Sequence, residues 1–286
     1  MEKADTKPPR KNGGVTVEKE KIMNTPIVMA AFGTTTRALS TYAYIDGRIR
    51  QRFPDHEIVW AYSSRMVKDW VKKRKNIDTV HPYEALRRLQ AQKHEWAVVQ
   101  SVHFLAGHEF YRLIEETGGE KIRTAIGLPL LSSVADYQRI GTMLAPLIAS
   151  RLQDEAIVLA GHGTDHPIWA SYLALQYLLR ERFGERIFVG CVEEYPGADE
   201  IVARVVDAGL KKVCLIPFML VAGVHFKEDL VGVDDDSWKS LFAAAGIEVE
   251  AVDQGIGMLP EISDILADHI AAALDVVLEN RGTCGK

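Results

Sequence analysis

Short runs of apolar and β-branched residues alternate along the chain with longer segments whose apolar positions recur every three or four residues. The short runs, at 26–31, 57–61, 96–102, 156–160, 186–191, 212–217 and 248–252, predict strands. The longer ones, at 39–53, 82–92, 134–152, 169–183, 198–208, 235–245 and 261–278, predict amphipathic helices. Strand and helix taking turns imply an α/β protein with parallel sheets covered by helices on both faces. Ligands of such sheets bind beyond the carboxyl ends of the strands, so the residues just after each strand matter most.

The same pattern occurs twice. Residues 27–53 align with 157–183 at a shift of 130 without a gap, and nine of the 27 positions are identical, including Gly33 with Gly163, Thr34 with Thr164 and Tyr42 with Tyr172. A second block, Leu-Ala-Gly-His-Glu-Phe at 105–110, repeats at a shift of 116 as Val-Ala-Gly-Val-His-Phe at 221–226, the difference reflecting extra residues near 72–79. Two tandem copies of one α/β unit are expected, a first half over 24–150 and a second over 151–286, with a ligand cleft between them. Residues 1–23, charged and carrying Pro-Pro and Gly-Gly without an apolar core, read as a flexible leader and not a secretory signal.

Composition removes several classes. The 286 residues carry 34 Lys and Arg against 39 Asp and Glu, a net charge of −5, with no basic patch to suggest nucleic acid. No apolar stretch is long enough to span a membrane. The three cysteines share no metal-type spacing; Cys191 and Cys214 fall in apolar strand runs and read as core thiols, which with the absent signal points to the cytoplasm. Gly161-His162-Gly163 and Ala31-Phe32-Gly33 lack the third glycine of a dinucleotide site, and no P-loop is present, so no nucleotide is expected.

The repeat also shows where the halves diverge. After the first strand of each half stand Phe32 and His162; after the next, Ser63 and Glu193; after the third, Glu109 and His225. Glu109, His162, Glu193 and His225 would therefore converge on one cleft. Two imidazoles with carboxylates suit a borderline divalent metal such as Co²⁺, Ni²⁺, Fe²⁺ or Zn²⁺, and serve equally as general bases near neutral pH. A lone histidine after a strand is more often a hydrogen-bonded loop residue than a ligand. For His162 the flanking glycines and the symmetric placement reverse that preference, and His225 gains because its counterpart is also ionisable. His103 sits at a strand end where substrate contact and packing are equally open. His166, between Asp165 and Pro167, suits a helix start, and His56, His81, His94 and His269 read as structural.

The segments Ala-Phe-Gly-Thr-Thr at 31–35, Gly-His-Gly-Thr-x-His-Pro at 161–167, Val-Glu-x-Tyr-Pro at 192–196 and the stretch around His225, taken in order, resemble the anaerobic cobalt chelatases of cobalamin biosynthesis, the CbiK family. The resemblance runs from about residue 25 to 278. It implies two Rossmann-like, chelatase-like halves around a tetrapyrrole cleft, and insertion of Co²⁺ into sirohydrochlorin or precorrin-2 without ATP. It carries the family's metal-site histidines onto His162 and His225 and its cleft glutamates onto Glu109 and Glu193.

On this reading His162, Glu193 and His225 hold the metal, and Glu109 or a histidine accepts the pyrrole protons. Phe32, Thr34, Arg37 and His103 meet the macrocycle or its carboxylates, with Arg65 a further candidate. The partners are then a tetrapyrrole and a divalent metal. A homo-oligomer is compatible with the sequence, and no residue argues for or against an additional haem at His103. A sirohydrochlorin ferrochelatase or nickel chelatase, and a non-catalytic tetrapyrrole or metal carrier, are the rival readings.

Overall fold

The computed structural model describes residues 25–33, 38–63, 80–151, 155–223 and 226–283. The expected leader, Thr34, Arg37, Arg65, the extra residues near 72–79, His225 and Cys284 lie outside them. Among the described residues the strands are β1 (Ile27–Ala31), β2 (Ile58–Tyr62), β3 (Trp96–Ser101), β4 (Arg123–Gly127), β5 (Ala156–Gly161), β6 (Ile187–Cys191), β7 (Lys212–Pro217) and β8 (Glu248–Ala251). The α-helices are α1 (Ala38–Arg52), α2 (Pro82–Ala91), α3 (His108–Gly118), α4 (Val134–Ala149), α5 (Ala170–Phe183), α6 (Ala198–Asp207), α7 (Trp238–Ala244) and α8 (Pro260–Thr283). Of these, β4 and α3 are elements the apolar pattern did not predict.

The strands form two four-stranded parallel sheets with the same order, β2-β1-β3-β4 and β6-β5-β7-β8. In each, the central first strand has its successor on one side and the third strand on the other. The crevice at which strand order reverses therefore opens beyond Ala31 in one sheet and Gly161 in the other. Phe32 and His162 are the residues that step into it.

Both central strands are buried at every position, and alternate side chains serve different cores. Ile27, Met29, Ile157 and Leu159 point into one continuous core shared by the two sheets, together with Ile140 and Leu144 of α4 and Ile262, Ile265 and Ile270 of α8. Val28 and Ala30 face a second cluster outside the first sheet, and Val158 and Ala160 a third outside the second, with Phe188, Trp238 and Phe242. Each such fully buried aliphatic side chain contributes about 1.5–3 kcal/mol, so the shared layer couples the two halves strongly.

Helix placement adds a second coupling. The last helix of the chain, α8, lies over β3 and β4 of the first sheet, while α4 packs on α5 of the second half. His269 of α8 fastens the join: its Nδ1 lies 2.9 Å from Leu128 O and its Nε2 3.3 Å from Asp136 Oδ1. Asp136 itself closes the capping box that starts α4, accepting from the Ser133 backbone while the Ser133 hydroxyl accepts from its own N–H.

Candidate metal and tetrapyrrole site

The second half builds its strand ends tightly. β5 and β6 are in register at Gly161 and Cys191, so the residues that follow lie side by side. The Glu193 N–H donates to the His162 carbonyl at 2.8 Å, and His162 Nδ1 stands 3.6 Å from Glu193 Oε2. That spacing is too long for a hydrogen bond, and the two side chains are 51% and 56% exposed, so both groups present donor atoms to the same crevice. Gly163 is in the left-handed region at φ 94°, and a Cβ there would collide with the Glu193 carbonyl, so only glycine lets the two turns approach this closely.

The first half presents different chemistry at related places. Phe32, the first residue after β1, is 49% exposed and precedes Gly33 at φ 100°. Glu109 lies in the first turn of α3, where the helix dipole favours an anion. Its carboxylate pairs with Arg112 at 3.0 Å and accepts from the Ser63 hydroxyl at 3.4 Å. Ser63 is steadied in turn by buried His81, whose Nε2 lies 2.9 Å from the Ser63 carbonyl and whose Nδ1 is 3.3 Å from Glu116.

The sheet register corrects one detail of the repeat. Ala31 pairs with Tyr62 as Gly161 pairs with Cys191, and the Ser63 N–H bonds to Ala31 O as the Val192 N–H bonds to Gly161 O. Ser63 is therefore the counterpart of Val192, one residue short of Glu193. The repeat is free of gaps only over the first strand and helix of each half, which leaves the end of the second strand open in the sequence.

The two sets of loops touch. His108 Nε2 of α3 lies 2.9 Å from Asp165 Oδ1 in the loop after β5, and the His166 ring packs 5.0 Å from His108 and 5.5 Å from Tyr111, centroid to centroid. Lower in the joint, Phe104 and Phe218 pack at 5.0 Å. The helix bearing Glu109 thus abuts the loop bearing His162. His166 has the expected role at a helix start: its Nδ1 accepts from the Ile168 N–H and caps a 3₁₀ turn at Pro167–Trp169. Further along the joint, a cleft of about 370 Å³ opens between α1 and the segments 221–222 and 253–258.

His103 lies just past β3. Its Nδ1 is 2.9 Å from the Ser101 hydroxyl, its buried Nε2 has no hydrogen-bond partner among the described residues, and burial pushes the imidazole down to about 4. The remaining histidines are held by the protein: His56 on Thr25 O at 2.7 Å, and His94 near Glu57 at 3.9 Å. Among the described residues no three His, Cys, Asp or Glu side chains gather into a metal-binding group. His162 and Glu193 are two of the three metal ligands expected from the sequence.

Residues 25–275 match the family model of the cobalt chelatase CbiK. The chain belongs to the CbiK cobalt chelatase family. A sirohydrochlorin cobaltochelatase of Salmonella typhimurium is 35% identical over 230 residues, covering 79% of this chain and 86% of its own. The sirohydrochlorin cobaltochelatase CbiKC of Nitratidesulfovibrio vulgaris is 34% identical over 259 residues, covering 88% and 91%. The solved structure of SirB from Bacillus subtilis with Fe³⁺ superposes with a TM-score of 0.62 over 88% of this chain and 96% of that one, at 13% identity, which shows a shared fold. The two parallel sheets with their flanking helices are thus the chelatase fold.

Several residues that shape this candidate site were not assigned a part in it from the sequence. Arg112 holds the Glu109 carboxylate, Asp165 ties α3 to the second half, and Tyr172 meets the turn that carries His162. Tyr172 is visible in the sequence as an identity with Tyr42 in the repeat, and Asp165 as part of the helix start at His166. Among the described residues no helix is long and apolar enough to cross a membrane.

Proposed function

We propose that this chain inserts Co²⁺ into sirohydrochlorin, or its reduced precursor precorrin-2, in anaerobic cobalamin biosynthesis and without a nucleotide. The observation that carries this reading is the His162–Glu193 pair, 3.6 Å apart at the point where strand order reverses, in a chain of the cobalt chelatase family. The halves 24–150 and 151–286 form the two walls of the cleft. The second half supplies the metal side through His162, Glu193 and His225. The first supplies the macrocycle side through Phe32, Thr34 and Arg37.

Each insertion releases two protons from the pyrrole nitrogens as the metal enters. Glu109 accepts them on this reading, with a histidine of the metal side as the alternative acceptor. Its carboxylate is kept in place by Arg112 and Ser63. The metal must be surrendered to the ring, which suits a partial set of imidazole and carboxylate donors open to the cleft and not a closed structural site. Of the two roles open to His103, its buried ring nitrogen supports packing. The buried free thiols Cys191 and Cys214 favour a reducing compartment, the cytoplasm.

Imidazole and carboxylate donors do not by themselves select Co²⁺ over Ni²⁺ or Fe²⁺. The test is anaerobic conversion of sirohydrochlorin by the purified protein with each metal in turn and no ATP. Co²⁺ insertion well above the protein-free rate, and faster than with Ni²⁺ or Fe²⁺, supports the proposal. A stable bound spectrum without turnover would make the chain a carrier.

A further inference from the structure

The tripeptide Gly161-His162-Gly163 is clamped from two sides. On one side the Gly163 N–H donates to the hydroxyl of Tyr172 at 3.2 Å, and the Tyr172 ring lies so close to Gly161 that a Cβ there would run into it. On the other, the Glu193 N–H holds the His162 carbonyl at 2.8 Å, and the Glu193 carbonyl occupies the space a side chain at 163 would need. The first half repeats the arrangement in part: Tyr42, the counterpart of Tyr172 in the repeat, has its hydroxyl beside the Gly33 backbone, directly after Phe32. Both tyrosines are buried, at 8% and 5% exposure for Tyr42 and Tyr172, and each lies on the helix that follows its turn.

We infer that Tyr172 is a positioning residue for the His162 imidazole, and that Tyr42 does the same for the Phe32 ring. One inherited tyrosine–glycine clamp would then hold the metal side in one half and the macrocycle side in the other. The clamp fixes the backbone from which the half-exposed His162 imidazole extends, and so where that side chain starts. The hydroxyl is the operative part. The ring packs on Gly161 whether or not it carries oxygen, but only the oxygen satisfies the Gly163 N–H in its left-handed turn. Burial pushes both phenols far above their usual range, so the clamp stays neutral at any working pH.

The inference rests on the chelatase reading for its two sides, and its test separates the two. Tyr172→Phe and Tyr42→Phe keep the aromatic ring, so both proteins should fold, which far-ultraviolet circular dichroism and thermal unfolding would check. Co²⁺ alone is titrated by calorimetry into the full chain and into each variant. About tenfold weaker Co²⁺ binding is expected for Tyr172→Phe, within the range lost when a group supporting a metal ligand is removed, and a change under twofold for Tyr42→Phe. In turnover, the KM for Co²⁺ should rise in the first variant and the KM for sirohydrochlorin in the second.

Equal effects of the two variants on Co²⁺ binding, or none from Tyr172→Phe, would overturn the inference. If the wild-type chain inserts no metal, the chelatase reading fails, and the Co²⁺ titration still decides the role of Tyr172. Should Tyr172→Phe prove too unstable to titrate, 3-fluorotyrosine at 172 weakens the acceptor while keeping ring and hydroxyl. A smaller loss of Co²⁺ affinity in the same direction supports the inference, and unchanged affinity overturns it.

Discussion

Glu193 faces His162 at 3.6 Å because β5 and β6 end in register at Gly161 and Cys191, and because the Glu193 N–H reaches back to the His162 carbonyl. The carboxylate is thus delivered by the sheet, and the imidazole by the turn beside it. Replacing Glu193 by Gln keeps the shape and the backbone bond while removing the negative charge. The KM for Co²⁺ should rise by about tenfold to a hundredfold, with the KM for sirohydrochlorin nearly unchanged. Steady-state assays with each substrate varied would show this, and equal changes in both constants would contradict it.

Gly163 and Gly209 both have positive φ, at 94° and 70°, but their surroundings differ. A Cβ at 163 meets the Glu193 carbonyl, whereas one at 209 meets open space. Gly209→Ala should cost about 1 kcal/mol, the left-handed penalty alone. Gly163→Ala should cost about 2 kcal/mol or more and abolish tight Co²⁺ binding. Denaturant unfolding of the two variants compares them directly, and equal costs would contradict the close approach of the two turns.

His103 carries a pH signature. Its folded-state value of about 4 lies below the ordinary 6.5, so between these values the unfolded chain binds a proton that the folded one refuses. Its contribution is complete above pH 6.5 and is lost as pH falls towards 4, a change of at most about 3 kcal/mol. In His103→Gln, unfolding free energy should fall less steeply over that interval than in the wild type. Parallel pH profiles would contradict burial of the imidazole.

Burial pushes the Cys191 thiol up to about 12 and the Cys214 thiol up to about 11. In a Cys284→Ser background, neither should react with Ellman's reagent at pH 8 until the protein is unfolded, when both should appear. Fast labelling of the native protein would place at least one of them at the surface.

Much of this fold was legible because central parallel strands are apolar throughout and their helices are amphipathic. The edge strand β4, Arg-Thr-Ala-Ile-Gly, was not: among the described residues it pairs only with β3, and it begins exposed and ends in glycine. Helix α3 was not read from the pattern although Phe110, Leu113 and Thr117 show the helical spacing, because its first turn, His108 and Glu109, is polar and follows directly on a glycine. The crossing of α8 onto β3 and β4 was beyond reach, since periodicity reports that a face is apolar and not what covers it.

At the site, Gly161-His162-Gly163 stood out through the repeat, and its approach to Glu193 follows from strand order. The His108–Asp165 pair depends on where α3 docks, which one-dimensional spacing does not encode, whereas Arg112–Glu109 is an i,i+3 pair within α3 and was missed together with that helix.

The most direct measurement is anaerobic absorbance of sirohydrochlorin and Co²⁺ with the wild-type chain, His162→Ala and His225→Ala, each shown to be folded. Catalysed appearance of the cobalt complex with the wild type, reduced by about a hundredfold or more in both variants, is the expected result. Undiminished insertion by His162→Ala would remove the metal from the strand end where the structure places that histidine, and with it the central claim.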